Sequence, residues 1–159
     1  MIETQRDIDI HLEITIDSAR DAVFRAIAEQ IDAWWDHRFF EHSTVTLEPW
    51  AGGRFYEHSD AGESLYATVQ QVVRNEKIVL VGPMGMKIPC VNVMTLSLED
   101  SKGGGTRGGR GGGGGTKLTL THVGQGAYTD EIITGYTKGW SDLLEGRLKA
   151  FVEGKAMTD

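Results

Sequence analysis

Ile132-Ile133-Thr134-Gly135-Tyr136-Thr137-Lys138-Gly139-Trp140-Ser141-Asp142-Leu143-Leu144-Glu145-Gly146-Arg147-Leu148 is the stretch that decides the fold. Its apolar residues recur at three- and four-residue steps, and Phe151 and Val152 continue the stripe. That spacing predicts one helix over about Thr129–Glu153. Asp130 and Glu131 open it and Arg147 and Lys149 lie near its end, the order the helix dipole favours. At 1.5 Å per residue its length is roughly 37 Å. Gly135, Gly139 and Gly146 each cost such a helix about 1 kcal/mol against alanine. Only packing on something large holds it, and a curved sheet is the obvious partner.

The rest of the chain supplies that sheet. Ile8, Ile10, Leu12, Ile14 and Ile16 alternate with polar residues, a strand with one apolar face. Ser18-Ala19-Arg20-Asp21 fits a capping box with Ser18 at the N-cap. Val23, Phe24, Ile27, Ala28 and Ile31 then follow at helical spacing, which predicts a helix from about Ala19 to Glu29 and a short second turn at Ile31–Trp35. Strands are predicted at Thr44–Glu48, Arg54–His58, Leu65–Val73, Lys77–Gly82, Val91–Glu99 and Thr116–Val123, separated by turn residues such as Asp60-Ala61-Gly62, Arg74-Asn75-Glu76 and Gly82-Pro83-Met84-Gly85. The expected fold is α+β: a curved antiparallel sheet of about six or seven strands wrapped on a long C-terminal helix, with two short helices after the first strand. Such a helix need not close tightly on its sheet, and a cavity can remain between them.

At 159 residues the chain is one domain's worth, expected over residues 8–153. Its single cysteine, Cys90, excludes a disulfide framework and reads as a small buried apolar residue. Net charge is −7, which argues against a broad nucleic-acid or anionic-membrane surface. No apolar run is long enough to span a bilayer and the first residues lack a signal-peptide pattern, so the expected compartment is the cytoplasm. Lys102, Arg107, Arg110 and Lys117 fall in one stretch with no acid between them, and ten of the 21 glycines lie in Gly103–Gly115. Residues 103–115 are expected to form a flexible hairpin loop. Two Arg-Gly-Gly units in it resemble RNA-binding repeats, but no aromatic is interleaved, so nucleic acid is not an expected partner.

The order of elements resembles the helix-grip fold of the START and birch-pollen-allergen superfamily, also called SRPBCC. Within it the chain is most similar to the domain of the activator of heat shock protein 90 ATPase. Four segments carry the likeness: Ile16-Asp17-Ser18-Ala19 running into Val23-Phe24-Arg25-Ala26; Trp34-Trp35; Gly52-Gly53-Arg54-Phe55; and Leu118–Gly124 followed by Gly139-Trp140-Ser141-Asp142-Leu143-Leu144. The resemblance covers about Ile8 to Val152. It implies a module that binds a hydrophobic small molecule, with two alternatives: a protein-partner module of the chaperone-activator kind in a stress response, or an enzyme of the polyketide cyclase or aromatase kind. No catalytic residue, metal or cofactor is assigned.

The large aromatics expected to meet between sheet and helix are candidate apolar cavity walls: Trp35, Phe39, Phe55, Tyr66, Tyr136 and Trp140, with Leu144 on the same helical stripe. The alternative is a solid core. Gly135 and Gly139 share one face of the helix and either leave room for a ligand or allow close backbone packing. His122 shares parity with Leu118 and Leu120 and is expected inside, as a satisfied core histidine or a donor to a ligand. Glu57 shares a face with Phe55. Within an apolar cavity its pKa would rise, whereas an exposed strand position is the simpler reading. His37 and His42 flank Arg38-Phe39-Phe40-Glu41 with only a weak metal-binding spacing, and His11 reads as solvated.

Overall fold

The computed structural model describes residues 5–101 and 114–157. The basic glycine-rich stretch lies almost wholly outside those residues. Seven strands form one sheet: β1 (Arg6–Ile16), β2 (Thr44–Leu47), β3 (Arg54–Ser59), β4 (Gly62–Val73), β5 (Lys77–Val81), β6 (Cys90–Ser101) and β7 (Gly115–Gly126). Every neighbouring pair is antiparallel and the order is β1-β7-β6-β5-β4-β3-β2. The alternation predicted in β1 is realised: Ile8, Ile10, Ile14 and Ile16 are buried, Leu12 is partly buried against the core, and the polar residues between them face out. β1 joins the last strand in unbroken register from Arg6↔Gly126 to Ile16↔Thr116, so the chain's first and last strands lie side by side.

Two irregularities bend the sheet. Between β3 and β4 the register shifts so that Tyr66 is the extra residue, and between β4 and β5 the extra residue is Gln70. At the first bulge Tyr66 and Ala67 are both buried although consecutive, which a regular strand cannot achieve.

α1 (Arg20–Ala28) and α2 (Ile31–Trp34) follow β1 as expected, but the capping box does not form. The N-cap is Ala19, with no side-chain hydrogen bond. Ser18 is occupied by the turn that ends β1: its N–H donates to Ile16 O at 2.9 Å, and its carbonyl accepts the Thr116 hydroxyl at 2.7 Å.

The C-terminal helix runs without a break, in three windings: α3 (Asp130–Ser141), a π-helical stretch (Asp142–Leu148) and α4 (Lys149–Glu153). Thr129 caps its start, its hydroxyl accepting the Ile132 N–H at 3.1 Å. Gly154, with φ 74°, ends it in the left-handed conformation. Trp140, at the end of α3, and Leu143, Leu144 and Leu148, in the π stretch, are all buried. With β1, α1 and α2 these residues make one hydrophobic cluster. Among the described residues no helix is long and apolar enough to cross a membrane.

Candidate functional site

The site begins where α2 ends. Trp34 turns into the core and its Nε1–H donates to Ala26 O at 2.9 Å. The next residue, Trp35, has extended backbone and sends its ring toward the sheet. That ring meets Phe55, Trp140 and Tyr66 with centroids 5.0, 5.9 and 6.1 Å away. The Phe55 and Trp140 contacts are edge-to-face, which fixes ring orientation as well as burying area.

Residues 36–43 have no regular structure, and two side chains hold them. Arg38 donates to Trp35 O (Nε, 2.9 Å), Ser43 O (Nη1, 2.6 Å) and Asp32 O (Nη2, 2.7 Å), and pairs with Asp32 Oδ1 at 2.9 Å. Glu57, from the inner face of β3, reaches under the same loop. Its Oε1 accepts the Phe39 N–H at 2.9 Å and the Tyr66 hydroxyl at 2.5 Å, while Oε2 accepts the Phe40 N–H at 2.8 Å. The reading of Glu57 as an exposed strand residue is therefore wrong: it is fully buried. Its pKa does not rise either. Burial alone would push it up and is the largest single influence. The combined hydrogen bonds from Tyr66 and the Phe39 and Phe40 amides, with the Ser43 hydroxyl close by, outweigh it and hold the carboxyl below the usual range. Ser43 Oγ itself makes no hydrogen bond of standard geometry. The same partnership pushes the Tyr66 phenol well above its ordinary value, burial first and the neighbouring carboxylate second.

On the opposite side the β5–β6 turn closes in. Met84 and Gly85 both have positive φ, 50° and 82°. Met84 is pinned by its N–H to Tyr66 O at 2.8 Å and by the Tyr136 hydroxyl donating to its carbonyl at 2.7 Å. Gly82 must be glycine, since a Cβ there would lie 2.6 Å from Ala67 Cα.

Between these parts and α3 lies a half-open cavity of about 490 Å³. Of the residues expected to line it, Trp35, Phe39, Tyr66, Tyr136 and Trp140 do so; Phe39 sits half-exposed at the mouth. Phe55 and Leu144 lie deeper, beside a void of only about 10 Å³. Glu57 and His122 stand behind the wall, both fully buried. His122 is a satisfied core histidine: Trp140 Nε1–H donates to its Nδ1 at 3.0 Å, and its Nε2–H donates to Asn92 Oδ1 at 2.9 Å. Cys90 is partly exposed, its sulfur 3.4 Å from Asn92 Nδ2. His37, Arg38, Met84, Glu131, Ile132 and Leu143 complete the lining and were missed as site residues. His37, Arg38 and Met84 lie in loops with no periodicity to read.

Gly135 and Gly139 line the cavity too. A Cβ at 135 would meet nothing within 4 Å, and one at 139 would touch only His37, 3.5 Å away. Close backbone packing is therefore not what these glycines serve; they leave room. Gly135→Ala is expected to raise stability by about 1 kcal/mol, the helix-propensity difference, visible as a higher urea midpoint. A fall in the midpoint would mean that the helix needs the bare backbone.

A curved antiparallel sheet gripping a long C-terminal helix around a cavity defines the helix-grip class. The family model described as Activator of Hsp90 ATPase homolog 1-like protein matches residues 17–108, more than half of the chain, and the protein belongs to that family. Solved structures share the fold. Protein Mll3558 from Rhizobium loti is 23% identical over 90% of this chain and 96% of its own, with a TM-score of 0.61. SSP2350 from Staphylococcus saprophyticus is 21% identical over 95% and 96%, at 0.64. The Aha1 dimer from Colwellia psychrerythraea is 14% identical over 92% and 96%, also at 0.64. No curated protein sequence matches the chain.

Proposed function

We propose that the protein takes up an apolar small molecule in the cavity between sheet and C-terminal helix and releases it unchanged. One observation carries this reading: the polar atoms of the aromatic walls are spent inside the protein. Trp35 Nε1–H donates to His37 O, Tyr66 to Glu57, Tyr136 to Met84 O and Trp140 to His122. A ligand in the cavity meets ring faces and edges rather than unsatisfied donors, which suits an apolar molecule. The cyclase reading needs two titratable groups within reach of one ligand. Its candidates, Glu57 and His122, are behind the wall with their hydrogen bonds engaged. The chaperone-activator reading rests on the family description alone and would use an outer surface. The expected cytoplasmic location rests on the apolar-run and N-terminal patterns and the stress-response setting on the resemblance; neither bears on the pocket.

The test is calorimetric titration and thermal shift with naphthalene derivatives, long-chain alcohols and flat polycyclic compounds. A ligand at a hundred times its Kd stabilises the folded state by about 2.7 kcal/mol, a midpoint rise of roughly 5–10 °C. Gly139→Phe fills the cavity from the helix side while improving helix propensity, so it should abolish that rise with the fold intact. Wild type unmoved by every compound, or Gly139→Phe binding as well as wild type, would exclude the cavity as the site.

A further inference from the structure

We infer that His37 is a hydrogen-bonding handle of the cavity, and that it selects apolar ring compounds carrying a hydroxyl group. This deepens the cavity reading and rests on it. Asp36 lies beside His37 and accepts a hydrogen bond from its Nδ1–H at 2.9 Å. An ionised carboxylate can only accept, so in the neutral imidazole the proton sits on Nδ1 and Nε2 presents a lone pair. Asp36 is itself tethered, its other oxygen 3.5 Å from Arg147 Nε. The His37 backbone is held as well: its carbonyl accepts Trp35 Nε1–H at 3.0 Å.

Nε2 has no hydrogen-bond partner among the described residues. It faces the bare turn of α3, 3.5 Å from where a Gly139 Cβ would be, and His37 lines the cavity. Gly139 therefore does more than make room: any side chain there would cover this nitrogen. An acceptor at the edge of an apolar cavity calls for a ligand with a donor.

The surroundings decide which donor. An acidic head group would want a cation, and the only arginine of the lining, Arg38, has Nε, Nη1 and Nη2 committed to the loop carbonyls and Asp32. Glu131 at the rim and Asp36 behind the imidazole repel an anion further. A neutral hydroxyl on a ring satisfies Nε2 while the ring rests among Trp35, Tyr136 and Trp140.

The experiment titrates 2-naphthol and 2-methoxynaphthalene, equal in ring and differing in the O–H, into wild type, His37→Phe, His37→Gln and Asp36→Ala. Wild type should prefer 2-naphthol by about tenfold, the worth of one well-placed hydrogen bond. His37→Phe should bring the ratio to about one while ether binding persists; His37→Gln, which keeps an acceptor, should restore part of it. Asp36→Ala, which releases the tautomer, should lower the ratio without abolishing binding. Equal affinities in wild type, or a preference surviving in His37→Phe, would overturn the role of His37 and leave the cavity standing. Binding of neither compound to wild type would remove the cavity reading and this inference together.

Discussion

Glu57→Leu is expected to destabilise the protein by about 3–5 kcal/mol, the range for stripping one partner from a buried charged network. Three donors lose their acceptor at once: the Phe39 and Phe40 amides and the Tyr66 hydroxyl. Leucine is of similar bulk, so the loss would come from orphaned polar groups rather than from a void. The lip of the cavity should loosen too, because the Phe39 and Phe40 amides tie it to the sheet through this carboxylate. Glu57→Gln keeps one acceptor oxygen and should cost roughly half as much. Urea denaturation at neutral pH measures both. A loss below about 1 kcal/mol for Glu57→Leu would mean that water or a shifted hydroxyl replaces the carboxylate. The depressed pKa adds a sign that can be checked. A carboxyl held below its unfolded value stabilises the fold fully above about pH 4.3 and loses that contribution as pH falls further. Glu57→Gln should lack that component of the acid limb.

Glu57 also marks where reading from sequence stops. Its parity with Phe55 placed it on the inner face, but parity says nothing of what waits there. The partners come from the irregular loop at 39–40 and from Tyr66, whose inward aim depends on the bulge opposite Phe55 and Tyr56. A bulge breaks the period-2 pattern on which strand reading rests. The long elements were legible because periodicity is physical: β1 buries alternate isoleucines, and the C-terminal stripe buries Trp140, Leu143, Leu144 and Leu148. The π winding was not legible, since the apolar stripe there reads as ordinary helical spacing. Nor was the failed cap at Ser18, where the turn and Thr116 outcompete the helix end for the same residue. Gly135 and Gly139 were legible as a question, and only the space around them answers it.

Acid should weaken the fold through His122 well above the pH at which carboxylates protonate. The imidazole is fully buried, and burial pushes its pKa down to about 4. Its hydrogen bonds enforce the same state. Trp140 Nε1–H can only donate, so Nδ1 must accept, and Nε2 carries the one proton toward Asn92 Oδ1. Asn92 Oδ1 also accepts the Tyr128 hydroxyl at 2.7 Å, so the chain from Tyr128 to Trp140 has one consistent set of directions. A second proton on His122 would set two N–H groups against each other. Unfolded, the same histidine titrates near 6.5. The unfolded chain therefore binds a proton between about pH 6.5 and 4 that the folded chain refuses. The stability His122 confers is complete above about pH 6.5 and drains away as pH falls toward 4, by about 3 kcal/mol in all. Urea midpoints from neutral pH downward, for wild type and His122→Gln, test this. Glutamine can accept from Trp140 and donate to Asn92 without titrating. It should cost about 1–2 kcal/mol at neutral pH for imperfect fit, yet give a flatter profile, so that the two curves draw together near pH 5. Parallel profiles would show that His122 takes up its proton in the folded state, and that the Trp140–His122–Asn92 hydrogen bonds do not hold it neutral.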